Sequence, residues 1–397
     1  MKRAYIVDIL RTPIGKYGGA LAGVRPDDLA AVVIRKLIER NPSVDVSAIE
    51  DVVFGAANQS GEDNRNVARM ALLLAGLPKE AGGVTVNRLC ASGLQAIMDA
   101  SRAVMLGEAD VYIAGGVESM SRAPFVMAKA TEPFSRKVEV FDTTMGWRFV
   151  NSKLSKLYHP YSMGETAENV AEKWKISRED QDKFGLTSQE KYQRAHEAGK
   201  FKDELISVPV QQGKEVIDFI KDEHPRATSL DKLASLKPAF KEGGTVTAGN
   251  SSGINDGAAA SLIVSEEALK RYNLRPLAKV VSFGIAGVDP AYMGVGPVPA
   301  VQKALKRAGL KISDIGLVEL NEAFASQALA CMRDLDLNPE MVNVNGGAIA
   351  IGHPLGCSGV RISATLIHEM KRRNVKYGVA TMCIGVGQGA AVVYEKC

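Results

Sequence analysis

The chain has 397 residues, 46% hydrophobic and 24% charged, with 49 basic against 45 acidic side chains for a net charge of +4. That balance belongs to an ordinary globular protein with room for two to three domains at ~150 residues each, and it excludes a disordered chain, a collagen-like repeat and a disulfide-stapled miniprotein. Lys and Arg are dispersed, which argues against nucleic acid as a partner, and no apolar run approaches the ~20 residues that cross a bilayer.

The N-terminal MKRAYIVDILRTPIG enters a strand-like segment almost at once. It has neither an apolar signal core nor an Arg/Ser-rich transit pattern. The terminal VVYEKC is not a peroxisomal tripeptide, so a cytoplasmic protein is expected. Pro26 to Asp51 predicts a helix and loop leading into the strand VVFGAAN. Next, VTVN reads as a strand, and Ser92-Gly93 opens a helix with Leu94, Ile97, Met98, Val104 and Met105 on one face around the small Ser101. That face is predicted to be buried. The segment 119–248 differs in kind: it holds both tryptophans, the charged stretch SREDQDKFGLTSQEKYQRAHEAG and the polar run IKDEHPRATSLDKL. It is too long for a simple connection and predicts an inserted loop domain that covers one face of the core and contributes to a binding site.

Beyond it, TVTAGNSSGINDGAAA sets small residues before a strand, where a thin ligand could lie on the backbone or the chain simply turns. Pro297 to Asp314 then repeats the helix and loop and leads into LVELNEA. IGHPLGCSGVRISA echoes VNRLCASGLQAI, and VATMCIGVG echoes VYIAGG. The offsets agree (314 − 51 = 263, 357 − 90 = 267, 379 − 111 = 268), so the chain reads as two related α/β halves.

Cys90, Cys331, Cys357, Cys383 and Cys397 form no CxxC pair, so no metal site is predicted and most are expected to be free, buried thiols. Cys90 stands at a strand-to-helix junction near the positive end of a helix dipole, which favours the nucleophilic thiolate. Close packing at a tight turn accounts for it equally well. His353 lies among Gly346, Gly347, Gly352 and Gly356, where bare backbone lets a ligand approach, and it is the natural base for a thiol. A histidine that merely satisfies loop carbonyls is the alternative. His159, His196, His224 and His368 read as surface residues. Cys383 follows the strand VAT and is either a strand-end packing residue or a second thiol facing the same pocket. No helix follows GVGQG, so it is not a dinucleotide loop, and no P-loop is present. Asn321 and Glu322 end a strand and begin a helix, where Asn is a natural cap unless its carboxamide orders a water or a substrate oxygen.

Together NRLCASG, AGGVESMS, TAGNSSGINDGAA, LNEAFA, GGAIAIGHPLGCSG and CIGVGQGAA, in this order and spacing, resemble the thiolase family over essentially the whole chain. The resemblance implies an α/β thiolase fold: two pseudo-symmetric βαβαβαββ halves in five α/β/α/β/α layers. Residues 1–118 plus 249–270 would form the first half, 119–248 a loop domain covering the active site and binding CoA, and 271–397 the second half. Cys90 would be the acylated nucleophile, His353 its activator, and Cys383 the group exchanging a proton with the α-carbon of the acetyl-CoA enolate. Asn321 would hold a water that, with His353, binds the thioester oxygen, and the amides of Cys90 and Gly385 would form a second oxyanion hole. Ser252 and Ala248 would lie beside the pantetheine and Arg226 near the CoA nucleotide, with Leu154, Met163, Phe240, Ala323 and Phe324 completing the CoA-binding set.

By the same resemblance CoA and acyl-CoA would be substrates and products. No bound cofactor, metal, nucleic acid or membrane would be needed, and the assembly would be a homotetramer. ANQSGEDNRNVARMALLLAGLP and FDTTMGWRFVN look like the members that cleave 3-oxoadipyl-CoA in aromatic-acid catabolism. Ser162 stands where many acetoacetyl-CoA-specific members have His. Arg148, Arg65 and Arg69 are candidates to meet a dicarboxylic tail, with surface or interface ion pairs as the alternative. Val386 replaces the glycine of CIGGG, with a small effect expected. A broader 3-ketoacyl-CoA or acetoacetyl-CoA thiolase is the alternative substrate range, and a non-catalytic acyl or lipid carrier is the alternative of a different class.

Overall fold

The computed structural model describes residues 2–397. Its ten-stranded sheet runs, from one edge, 317–320, 377–384, 388–396, 278–287, 4–11, 255–265, 111–119, 51–55 and 82–86, with 15–16 pairing 255–265 off that path. The strand order splits into two half-sheets that join where Tyr5 and Ile6 pair with Lys279 and Ala278. In the first half, strand Ala4–Arg11, helix Pro26–Arg40, strand Asp51–Gly55, helix Val67–Leu74, strand Gly82–Val86, helix Ser92–Leu106 and strands Val111–Ser119 and Asn255–Ser265 give the expected βαβαβαββ order. The second half runs strand Ala278–Gly287, helix Pro297–Ala308, strand Leu317–Leu320, helices Ala325–Asp334 and Leu355–Arg373, and strands Tyr377–Ile384 and Gln388–Lys396.

In that second half the third strand is contracted to a single bridge, Val318 with Val342. Asn343 is the cause. Its backbone sits at φ +46, and its carboxamide both accepts from Leu320 N and donates to Leu320 O, each at 2.8 Å. One side chain thus satisfies the peptide that a strand neighbour would have paired.

The equivalent outer helices show why the halves look alike. Each begins with proline at its first position, where the missing N–H is harmless. Each buries a stripe at helical spacing: Leu29, Ala30, Val33, Ile34 and Leu37 in one, Ala300, Val301, Ala304 and Leu305 in the other. Between the half-sheets lie helices Ser92–Leu106 and Leu355–Arg373. Leu94, Ile97, Met98 and Val104 are fully buried as predicted, and Met105 is half-buried. Helix Leu355–Arg373 is buried from Gly356 to Met370, as befits a middle layer covered on both faces, and it encloses the polar Ser358, Arg361, Thr365, His368 and Glu369 among its apolar residues.

The two central helices cross at their N-terminal ends through glycine. A Cβ on Gly359 would stand 2.1 Å from Leu94 N, and one on Gly93 would stand 2.7 Å from Gly356 O. Backbone therefore touches backbone, and no larger residue fits.

The central position of the second helix also corrects one expectation about histidine. His368 is buried, with Nε2 3.0 Å from Ile9 O. His196 is half-buried and stacks on Tyr192, while His224 is half-buried against Gly253. His159 is exposed as expected.

The segment 119–248 contains two hairpins of its own, Phe125–Met127 with Val140–Asp142 and Val208–Gln212 with Glu215–Phe219. A buried arginine fastens it to the body: Arg11 Nε donates to Glu204 Oε1 at 2.6 Å and Nη1 to Asp222 Oδ1 at 2.7 Å. Among the described residues no helix is long and apolar enough to cross a membrane.

Candidate active site

Cys90 lies in a single 3₁₀ turn, Leu89–Ala91, between strand Gly82–Val86 and helix Ser92–Leu106. The turn is held taut. Leu89 has φ +46, Leu89 N donates to Asn87 Oδ1 at 2.8 Å, and Asn87 Nδ2 reaches Ala57 O at 3.0 Å. Ser92 Oγ accepts from Arg88 N at 2.9 Å and donates to Leu89 O at 2.7 Å. Arg88 Nη1 then crosses to Gln388 Oε1 of the second half at 3.0 Å.

The amides of Gly385 and of Cys90 itself both face the Cys90 sulfur. Sequence reasoning expected the helix end to favour the thiolate. Burial wins instead, pushing the thiol up to about 11 against those two amides, so Cys90 rests protonated.

His353 is positioned by the loop before helix Leu355–Arg373. Its N–H donates to Asn255 Oδ1 at 3.0 Å, and the next turn is pinned where Gly356 N donates to Glu118 Oε2 at 2.7 Å. Ser358 fixes the ring's tautomer. The Ser358 hydroxyl has one proton, which it gives to Pro354 O at 2.7 Å, so its 2.6 Å contact to His353 Nδ1 must be donated by Nδ1–H. Nε2 is left with its lone pair. Burial first, and the charge of Arg361 second, pull the imidazole down to about 3, so it is neutral and able to accept a proton.

Cys383 is the next-to-last residue of strand Tyr377–Ile384 and is 1% exposed. Burial, then the neighbouring Cys90, hold its thiol well above the ordinary range. After it the chain turns through Gly385, Val386 and Gly387 into strand Gln388–Lys396. Val386 has φ +64, a conformation that strains a β-branched side chain.

Asn321 is not a helix cap. The helix starts at Ala325 with Phe324 at its N-cap. Asn321 instead closes the site: Oδ1 accepts from Arg361 Nη2 at 3.2 Å, and Nδ2 faces His353 Nε2 at 3.4 Å. Glu322 ties this wall to the inserted segment by accepting from Ser188 Oγ at 2.6 Å and Asn343 Nδ2 at 2.8 Å.

Cys90 and His353 each stand three residues before a crossing glycine, Gly93 and Gly356. The glycine contact therefore brings together the segment of one half that carries Cys90 and the segment of the other that carries His353.

Several of the residues matched to CoA binding gather on the Cys383 side. Met163, Ala323, Phe324 and Cys383 pack in one apolar cluster. Phe240 meets Phe324 edge-to-face at 6.1 Å, Ser252 N donates to Ala323 O at 3.0 Å, and Arg226 Nη2 donates to Ala248 O at 2.9 Å. Leu154 sits apart on helix Ser152–Leu157, 38% exposed. Of the candidate arginines, Arg69 is committed to the carbonyls of Lys79 and Ala81, and Arg65 is exposed. Arg148 is half-buried and makes no ion pair or hydrogen bond among the described residues. Arg361, Ser358 and Glu118 were missed by sequence reasoning. Arg361 had left a signal, a charge inside the otherwise small and apolar run GVRISATLI.

A duplicated α/β body with two thiols, a neutral imidazole and paired amide donors at its centre is that of an acyl-transferring enzyme. The family profiles "Thiolase, N-terminal domain" and "Thiolase, C-terminal domain" match residues 4–267 and 274–396. The chain belongs to the thiolase family. It is 56% identical over 400 residues to an Escherichia coli beta-ketoadipyl-CoA thiolase, covering all of both chains. It is 55% identical, again over the whole of both, to the 3-oxoadipyl-CoA/3-oxo-5,6-dehydrosuberyl-CoA thiolase of Escherichia coli strain K12. An acetyl-CoA acetyltransferase of Syntrophomonas wolfei is 45% identical over 99% of each chain. Among solved structures, the Bacillus anthracis acetyl-CoA acetyltransferase superposes with a TM-score of 0.94 at 42% identity, over 100% of this chain and 99% of the other.

Proposed function

We propose that this thiolase cleaves 3-oxoadipyl-CoA with CoA to give succinyl-CoA and acetyl-CoA. The observation that carries the reading is full-length identity of 56% to a beta-ketoadipyl-CoA thiolase against 45% to an acetyl-CoA acetyltransferase. Half-buried Arg148, with no carboxylate on it among the described residues, supports a dicarboxylic tail, as does Ser162 in place of histidine.

In this reading Cys90 gives its proton to His353 Nε2 and attacks the ketone carbon. The oxyanion is held by His353 and a water on Asn321, or by the amides of Cys90 and Gly385, as the acyl group passes between steps. Collapse breaks the bond between α- and β-carbons, and Cys383 protonates the departing enolate as acetyl-CoA leaves. The Cys383 thiolate then takes the proton of incoming CoA, whose sulfur displaces Cys90. Cys90 recovers its proton from His353, and every group is restored. CoA is a substrate and product here, lying along Ser252, Ala248, Met163 and Phe324 with Arg226 toward its nucleotide. The inserted segment 119–248 serves as the cover between halves 1–118 plus 249–270 and 271–397.

The exposed arm bearing Phe125, Met127 and Phe134 supports a homotetramer, which sedimentation would test, and the same reading places the enzyme in the cytoplasm. The deciding experiment compares kcat/KM for thiolysis of 3-oxoadipyl-CoA, acetoacetyl-CoA and a medium-chain 3-ketoacyl-CoA. A preference of ~100-fold for the dicarboxylic substrate, about 2.7 kcal/mol of transition-state discrimination, is expected. Equal cleavage of the neutral substrates would make the substrate assignment wrong and leave the chemistry standing.

A further inference from the structure

Arg361 lies in the middle of helix Leu355–Arg373 and is among the largest side chains with no exposed surface. Its Nη2 donates to Asn321 Oδ1, while Nε and Nη1 have no hydrogen-bond partner among the described residues. Glu319 and Asn321, two residues apart at the end of one strand, present one face toward this helix, and burial holds the Glu319 carboxyl well above its ordinary range even with the Arg361 charge opposing that shift. As a device for stability this is poor. A buried guanidinium with two of its nitrogens unpaired is expensive, and an apolar side chain of similar volume at such a site often leaves a protein as stable or more so.

We propose that Arg361 is a positioning residue for catalysis: its guanidinium holds Asn321 Oδ1 so that the carboxamide can present only Nδ2–H toward His353 Nε2 and the water that binds the substrate oxygen. An unheld carboxamide can turn over, setting an acceptor where the water that serves the oxyanion needs a donor. The charge also polarises the amide through the carbonyl it grips, strengthening the opposite N–H as a donor. The inference rests on the assignment of Asn321 and His353 to the thioester-oxygen site.

The test is a double-mutant cycle on thiolysis, with thermal melting and circular dichroism of every variant. Removal of one aligned oxyanion donor costs roughly 100-fold in kcat, so Asn321→Ala is expected to lose about that much. Arg361→Gln, acting through Asn321, is expected to lose roughly 30-fold in kcat with KM within ~3-fold of wild type. In the Asn321→Ala background the Arg361 substitution is expected to cost less than about 3-fold more, because the group it positions is gone. Multiplied losses, approaching 3,000-fold in the double variant by that arithmetic, would overturn the proposal, as would wild-type kcat in Arg361→Gln. Should Arg361→Gln fail to fold, Arg361→Lys carries the same cycle, since it keeps the charge and loses the planar fork. Unimpaired Asn321→Ala would instead sink the assignment of the oxygen site itself.

Discussion

Replacement of Gly359 by alanine tests the architecture and the chemistry at once. The added methyl group would stand 2.1 Å from Leu94 N and 2.8 Å from Gly93 C, both backbone atoms of the facing helix that cannot swing aside. Ordinary contact begins near 3.4 Å, so the helices must part by about 1.3 Å, the difference between 3.4 and 2.1. Overpacking of this kind costs about 1–3 kcal/mol, offset by up to ~1 kcal/mol because alanine is the better helix former. The melting temperature is therefore expected to fall by a few degrees. The larger effect is on turnover. Cys90 and His353 sit on opposite sides of the crossing, and a displacement of about 1 Å between reacting groups lowers rates roughly 100-fold. Calorimetry with steady-state thiolysis reads both quantities. Gly23→Ala, where a methyl group would meet nothing within 4 Å, is the control and should change neither. A Gly359→Ala enzyme with kcat within ~3-fold of wild type would refute the argument that glycine contact sets the catalytic geometry.

Other expectations follow from the site. His353 is held down to about 3 and Cys90 up to about 11, so base and thiol are both in their neutral working forms at intermediate pH. Activity dependent on a neutral base is lost as pH falls through the folded pKa, so kcat/KM should be flat from about pH 5 to 9; an acid limb centred near 6.5 would show that His353 is not desolvated as described. Val386→Gly should relieve about 1–2 kcal/mol of left-handed strain against ~0.4–1 kcal/mol of added unfolded-state entropy, a net stabilisation read by denaturant melts. A lower midpoint would show that the turn tolerates valine without strain. Cys90→Ala should abolish labelling by acyl-CoA, whereas Cys383→Ala should still accept an acyl group slowly but not break the carbon–carbon bond. Full thiolysis by the Cys383 variant would end its role as proton donor.

Much of this centre was readable before any coordinates because its parts sit where local rules are strict. Cys90 and His353 are marked by glycine and by strand-to-helix turns, features visible within a few residues. What stayed hidden depends on distant contacts. Whether Cys90 is a thiol or thiolate is decided by burial from the other half, which outweighs the local dipole. Asn321 looked like a cap because a strand ended beside it, yet its partner Arg361 is 40 residues further along. His368 sits in a stretch with lysines and arginines at its end, and only the central place of its helix shows that it is enclosed. The contracted strand near Val342 turns on a single carboxamide replacing a peptide, which no periodicity reports.

The glycine crossing also bears on the life of the chain while it is being made. The N-terminal half leaves the ribosome first, carrying Cys90 but not His353, its proposed base. Until residues near 353 have emerged and the second helix has docked, that sulfur is one more free thiol beside no imidazole, at pH values where thiols stay protonated. On the proposed mechanism a half-made chain would be chemically quiet toward the acyl thioesters around it, and reactivity would arrive in the same event that completes the core.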